Sequence, residues 1–87
     1  MTKSIYSREY KRLLRLLVGV RESRCVTQME LAKAVGKPQS FVSKVESGER
    51  RLDVVELLQL LSAMHVDPME FVADLLPGSA ERTRRKP

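Results

Sequence analysis

Hydrophobic residues recur every three or four positions along most of the chain, a spacing typical of helices that bury one face. The first such stretch begins at Tyr6 and predicts an amphipathic helix that ends near residues 23–25. Its apolar side consists of Tyr6, Tyr10, Leu13, Leu14 and Leu17, and its other side carries Arg8, Lys11, Arg12 and Arg15. We therefore expect one side of this helix in the core and the other in solvent.

Three pairs of residues have the spacing of a capping box, which marks the first turn of a helix. In a capping box the N-cap side chain accepts the backbone N–H three residues on, and the acid at that position accepts the N–H of the cap. The pairs are Thr27 with Glu30, Asp53 with Glu56, and Asp67 with Glu70. We expect the second, fourth and fifth helices to begin at these residues.

Glycine and proline delimit the helices between these starts. Gly36 ends the second helix, because glycine adopts the left-handed conformation at a helix C-terminus without strain. Pro38 is predicted at the first position of a third helix, where its missing N–H does no harm, and Gly48 ends that helix. The fourth helix is apolar nearly all round, which predicts burial on more than one side. Pro77 and Gly78 end the fifth helix.

These elements predict an all-α fold, a compact five-helix bundle in which a short glycine turn joins the second and third helices. With 87 residues, 43% of them hydrophobic, the chain has material for one core rather than two domains. Only 5% of the residues are aromatic, which fits a helical bundle better than a β fold. We expect one domain over residues 1–76, followed by a basic, disordered tail over 77–87.

Charge is distributed unevenly along the chain. Residues 1–24 carry seven Lys and Arg against two Glu, whereas residues 52–76 carry five acids and no base. Residues 25–51 and 77–87 have net charges of +2 and +3, and the whole chain has +5. A basic front and an acidic back suit a domain that presents one side to a polyanion. A solvated charged face without any partner is the alternative interpretation.

Two helices joined by a tight glycine turn inside a small helical bundle form a helix-turn-helix, an arrangement that binds DNA. At fixed offsets, this segment also carries Thr27 and Gln28, Leu31 and Ala32, Gly36, Val42 and Ser43, and Glu46 and Gly48. The pattern closely resembles that of the phage-repressor/Cro-like (XRE) family over about residues 10–75. The resemblance implies a bundle of the lambda/434-repressor type. It also implies a transcriptional repressor or autoregulator that binds double-stranded DNA sequence-specifically.

The resemblance assigns roles to the third helix and its flanks. The residues that would contact base edges in the major groove are Gln39, Ser40, Ser43 and Lys44. The residues that would contact phosphate are Gln28 at the start of the second helix and Lys37, Arg50 and Arg51 in the flanking loops. Ordinary solvated side chains are the alternative interpretation for both groups.

Two further assignments concern the pair Arg21 and Glu46, and Phe41. The resemblance implies a structural salt bridge between Arg21, late in the first helix, and Glu46 of the third. Phe41 is either a core neighbour of Val42 and Val45 or an exposed ring against the sugar-phosphate backbone. Because the two valines already fill the buried ridge, we favour the backbone contact for Phe41.

Chemistry other than DNA binding has little support in the composition. The single cysteine, Cys25, excludes an internal disulfide. With one histidine, His65, the chain lacks both a zinc ligand set and a nucleophile-base set, so we predict no enzyme, metal or cofactor. No small-molecule effector is evident. Cys25 and His65 stand where the family commonly has a helix-ending glycine, and Cys25 has either a packing role or a redox role.

The location of the protein is predicted from what the sequence lacks. The N-terminus has no apolar segment or cleavage site of a secretory signal. No apolar run approaches the ~20 residues needed to span a bilayer. We therefore expect a cytoplasmic protein without a membrane partner.

Apolar residues on the fourth and fifth helices exceed what one small core requires. Met69, Val72, Leu75 and Leu76 are predicted to form the interface of a homodimer, the form in which the family usually binds palindromic DNA. The alternative is that these residues only close the core.

Other functions remain open on the sequence alone. A restriction-modification controller or an antitoxin-type regulator would use the same DNA-binding surface. A protein-interaction module would use the fold without contacting DNA, and it would favour an acidic or apolar outer face on the third helix. Gln39, Ser40 and Lys44 argue against that last function.

Overall fold

The computed structural model describes residues 7–76, which form five α-helices and no strand, so the predicted all-α fold is confirmed. The helices are α1 (Arg8–Ser23), α2 (Gln28–Ala34), α3 (Gln39–Ser47), α4 (Val54–Ala63) and α5 (Pro68–Leu75). Helix α1 packs on α3 and α5, α2 packs on α3 and α4, and α4 packs on α5. Tyr6, the helix stop at Pro77 and Gly78, and the tail over 77–87 lie outside the described residues, so the division at residue 76 stays a prediction.

One hydrophobic core lies between the helices. Its most deeply buried side chains are Leu17, Leu31, Val42, Val45, Leu60 and Leu61, which come from α1 to α4. Phe71 adds a buried ring from α5. Burial of a side chain of this kind stabilises the fold by ~1.5–3 kcal/mol. No helix within residues 7–76 is both long enough and apolar enough to cross a membrane.

The predicted capping boxes form at two of the three helix starts. Thr27 Oγ1 accepts the N–H of Glu30 at 3.0 Å, and Glu30 Oε1 accepts the N–H of Thr27 at 2.9 Å. Asp53 and Glu56 make the same two bonds. At Asp67 the fifth helix begins as predicted, but the predicted capping box is wrong, because the carboxylate accepts the N–H of Met69 instead. The backbone ψ angle is 117° at Asp67 and 171° at Asp53. This difference places the Asp67 carboxylate next to the N–H of Met69, two residues further along the chain.

Helix α3 begins one residue later than predicted. Pro38 is the N-cap rather than the first helical residue, because its ψ of 157° is extended while its φ of −71° fits either conformation. Proline has no side-chain acceptor, and α3 has no side-chain cap. The last turn ends as predicted at Gly48, which has a φ of 87°.

Three helices end in the same type of hydrogen-bonded turn. The second residue after each helix takes a left-handed conformation, with φ of 58° at Cys25, 73° at Gly36 and 59° at His65. The following N–H then bonds to the carbonyl five residues back, as in a Schellman motif. The three bonds are Val26 to Arg21, Lys37 to Ala32 and Val66 to Leu61. Cys25 and His65 therefore occupy positions that suit glycine, as the resemblance implied.

Helix α4 is less buried than its apolar sequence predicts. Val54, Val55 and Leu58 are 70%, 63% and 44% exposed, whereas Leu60 and Leu61 lie in the core. Helices α2 and α5 pack on α4 from the core side. The opposite side of α4 has no neighbour among residues 7–76, so its valines face solvent.

We expect Cys25→Gly to raise the free energy of unfolding by about 0.5–1 kcal/mol. A left-handed conformation costs an L-residue ~1–2 kcal/mol, and the extra freedom of glycine in the unfolded chain offsets part of that gain. Gly36→Ala in the equivalent turn is the control and should destabilise the protein. Urea unfolding measures both variants, and a destabilised Cys25→Gly would contradict the role assigned to this turn.

Candidate nucleic-acid interface

Helix α3 has one buried and one exposed side. Phe41, Val42 and Val45 are buried against the core. The other side consists of Gln39, Ser40, Ser43 and Lys44, which we call the recognition face and which is exposed along its length. The structure therefore brings the four predicted base-contacting residues together on one polar surface. Side chains of this kind on an exposed helix can hydrogen-bond base edges in the major groove.

Phe41 does not lie on the recognition face. Its side chain is 8% exposed and belongs to the hydrophobic core. The prediction of an exposed ring against the sugar-phosphate backbone is therefore wrong, and the core alternative is correct. The core therefore takes up this ring together with the two valines.

Arg21 and Glu46 are in contact, as the predicted salt bridge requires. Arg21 Nε lies 2.6 Å from Glu46 Oε2, and Arg21 Nη2 lies 3.1 Å from Glu46 Oε1. A third bond from Arg21 Nη1 reaches the carbonyl of Val26 at 2.8 Å, in the turn between α1 and α2. The two side chains are only 13% and 7% exposed. The hydrogen bond to Glu46 raises the pKa of Arg21 above its ordinary value, so the guanidinium stays charged at physiological pH.

Gln28 links this ion pair to the recognition face. Its Nε2 donates to Glu46 Oε1 at 2.8 Å, and its Oε1 accepts from Gln39 Nε2 at 3.3 Å. The side chain that was predicted to contact phosphate is thus engaged within the protein. In the first turn of α2 the N–H of Glu30 already donates to Thr27 Oγ1, which leaves the N–H groups of Gln28 and Met29 available to an anion.

The two loops that flank α3 place a pair of cations over the Phe41 ring. Lys37 Nζ lies 5.3 Å and the Arg50 guanidinium carbon 4.8 Å from its centroid. Both distances fit cation–π contacts. The Phe41 ring therefore lies beneath Lys37 and Arg50, two of the residues predicted to contact phosphate, and holds their side chains in place.

Arg50 is also paired with a carboxylate that the sequence analysis identified only as a helix cap. Its Nη1 and Nη2 donate to Glu56 at 3.0 and 2.9 Å. This contact lowers the pKa of Glu56 below its ordinary value of 4.5. The stabilisation is present at neutral pH and is lost only as the pH falls below 4.5 through the lowered pKa. The charge of Arg50 is therefore compensated by a direct ion pair, whereas Lys37 acts on Glu56 only from a longer distance.

Arg51 is anchored to α1 through a tyrosine. Its guanidinium carbon lies 5.2 Å from the centroid of the Tyr10 ring. The hydroxyl of Tyr10 accepts the backbone N–H of Leu52 at 3.0 Å in a buried hydrogen bond. The sequence pattern predicts only an apolar role for Tyr10, because no local pattern signals a bond between residues so far apart in the chain.

The remaining predicted residues lie away from α3. Met69, Val72 and Leu76 are 77%, 41% and 46% exposed on or just after α5, and Leu75 is half-buried. Cys25 is an exposed free thiol. No group of three His, Cys, Asp or Glu within residues 7–76 could hold a metal ion.

Comparison with known proteins identifies relatives of this chain. The model of a helix-turn-helix family, HTH_3, matches residues 20–71. A solved structure of an XRE-family like protein from Pseudomonas syringae pv. tomato str. DC3000 superimposes with a TM-score of 0.75 at 45% sequence identity. The match covers 77% of this chain and 82% of that one. No curated protein matches the chain.

We expect Arg21→Met to destabilise the fold by on the order of 3 kcal/mol, because it leaves a buried carboxylate without its cation. Urea unfolding measures the loss, and Arg24→Met, on an exposed arginine, is the matched control. Exchanging both partners, Arg21→Met with Glu46→Leu, should recover much of the stability. Equal stabilities of Arg21→Met and Arg24→Met would show that the ion pair contributes nothing.

Proposed function

Because the chain belongs to the XRE family of helix-turn-helix DNA-binding regulators, we propose that it represses transcription as a homodimer on a palindromic operator. Its own promoter is the first operator to test. The recognition face of α3 carries this proposal, since it combines amide, hydroxyl and ammonium groups on one exposed surface. We place this activity in the cytoplasm.

Base contacts are assigned to the two ends of the recognition face. The amide of Gln39 matches the N6 and N7 atoms of adenine, and the ammonium of Lys44 matches the O6 and N7 atoms of guanine. Ser40 and Ser43 lie between them and accept or donate to either base. The hydrogen bond between Gln28 and Gln39 supports the assignment, because it reduces the freedom that Gln39 would lose on binding.

Phosphate contacts are assigned to both sides of α3. Lys37, Arg50 and Arg51 lie in the loops before and after the helix, and the first turn of α2 adds the backbone N–H of Gln28. Such contacts fix the register of the protein on the duplex without specifying its sequence. Of the three cations, Arg50 should contribute least, because Glu56 already compensates its charge.

The homodimer is assigned to the apolar surface of α5. Met69, Val72 and Leu76 expose apolar side chains there, and Leu75 lies beside them. A two-fold dimer buries the same patch of both copies. It would also place two copies of α3 about one helical turn of DNA apart, ~34–36 Å, as a palindromic operator requires.

A protein-interaction module is the competing function. Such a module would gain affinity from apolar anchors at the centre of its surface. The recognition face has none, whereas the exposed apolar side chains cluster on α4 and α5. The polar recognition face of α3 therefore favours DNA binding over binding of a protein partner.

Selection of bound duplexes from a random pool tests the proposed function. We expect a palindromic consensus, and we expect Gln39→Ala and Lys44→Ala each to lose ~1–3 kcal/mol of discrimination at one base position. Lys33→Ala, on an exposed cation of α2, is the control and should keep the consensus. Recovery of no consensus with the wild-type protein would reject sequence-specific binding.

Analytical ultracentrifugation tests the dimer separately. At micromolar concentration we expect the wild type to sediment at twice its 9.9 kDa chain mass. Val72→Asp should sediment as a monomer, because it buries two carboxylates in one symmetric interface. Met29→Asp puts the same charge on another exposed apolar residue, 63% exposed on α2, and should leave the dimer intact. A wild-type monomer, with and without the selected duplex, would reject the dimer.

A further inference from the structure

A groove between α1 and the C-terminal end of α3 extends the surface that begins at the recognition face. Its lining from α3 is Glu46 and Ser47, and its lining from α1 includes Lys11, Leu14 and Arg15. Ser47 lies one turn beyond Ser43 and Lys44 on the same side of α3, and its hydroxyl donates to the carbonyl of Lys44. The groove is therefore continuous with the recognition face.

The cations of this groove have no partner among the described residues. Lys11 and Arg15 are both exposed, and neither takes part in an ion pair within residues 7–76. Residues four positions apart on a helix are neighbours, so the two cations form one ridge. Arg12, on the adjoining side of α1, is different because its guanidinium binds the carbonyl of Asp74 at 2.9 Å.

The geometry of α3 places its C-terminal end next to this ridge. Glu46 is bound to Arg21 near the end of α1, whereas Gly48 lies against the Leu14 side chain in the first half of α1. The chain that leaves α3 thus runs towards Lys11 and Arg15. The groove also contains Glu22, two turns from Arg15, so only the half near Lys11 is cationic.

We propose that Lys11 and Arg15 contact the phosphate backbone beyond the C-terminal end of α3 and so widen the DNA interface onto α1. The inference rests on the proposed function, and it adds phosphate contacts on α1 to those of the α3 loops. Two unpaired cations beside a duplex release counterions when they approach phosphates. The contacts strengthen binding to every sequence, because phosphates are the same throughout the duplex.

Salt-dependent fluorescence anisotropy with the full chain tests this extension. The probes are a labelled duplex from the selection and a scrambled duplex of equal length. The proposed dimer carries two copies of each cation, so we expect Lys11→Gln and Arg15→Gln each to remove two contacts and to reduce the magnitude of the slope of log Kobs against log salt by ~1.8. Each should lower affinity roughly sixtyfold at 0.1 M salt, as two lost phosphate contacts per dimer predict. The preference for the selected duplex over the scrambled one should stay constant.

Lys33→Gln is the matched control, since it removes one exposed cation from α2 outside the groove. Thermal melting should show that all three variants stay folded. If Lys11→Gln and Arg15→Gln gave the slope of Lys33→Gln, the extension would be wrong, and an acidic protein would be the better partner for the groove. If the wild type bound neither duplex, both the proposed function and the extension onto α1 would be rejected.

Discussion

The ion pair between Arg21 and Glu46 is the interaction on which the arrangement of the first three helices depends. The guanidinium binds a carboxylate of α3 and the carbonyl of Val26 in the α1–α2 turn, so a single side chain joins three elements. Glu46 in turn accepts from Gln28, which accepts from Gln39. A buried ion pair adds less stability than its attraction suggests, because desolvation opposes it. Its main consequence here is orientation, because it restricts how α3 can rotate against its neighbours.

The cations around α3 differ in how strongly they are already engaged. Lys44 has no ion pair among residues 7–76, Lys37 lies over an aromatic ring, and Arg50 lies over the same ring and is held by a carboxylate. Formal charge alone would treat these residues as equal. Attraction to phosphate depends on the charge that neighbours leave uncompensated, so the strongest contacts should come from the residues with the fewest internal partners.

Short-range features of the fold and the site were predictable from the sequence. Capping boxes at Thr27 and Asp53 and the left-handed turn at Gly36 are decided by a few neighbouring residues. The left-handed conformations of Cys25 and His65 followed only from the family resemblance, because neither residue type signals them. The members of the recognition face followed from helical spacing and from the family resemblance.

Burial, by contrast, depends on which elements meet, and local pattern does not contain that information. Phe41 is buried because the loops on either side close over it. Val54 and Val55 are exposed because α4 has neighbours on one side only. Glu56 lies too far from Arg50 in the chain for a spacing rule to pair them. A sequence pattern identifies which residues are apolar, and only the packing decides which of them are covered.

The hydroxyl of Tyr10 has a consequence for how this chain folds. Most contacts that define the helices and their turns are local, and proteins dominated by local contacts fold in microseconds to milliseconds. The bond from Leu52 to Tyr10 instead closes a loop of 42 residues, and the bond from Arg12 to Asp74 closes one of 62. Closing such loops costs chain entropy before any contact repays it. The docking of α1 onto the later helices, rather than the formation of the helix-turn-helix, should therefore limit the folding rate.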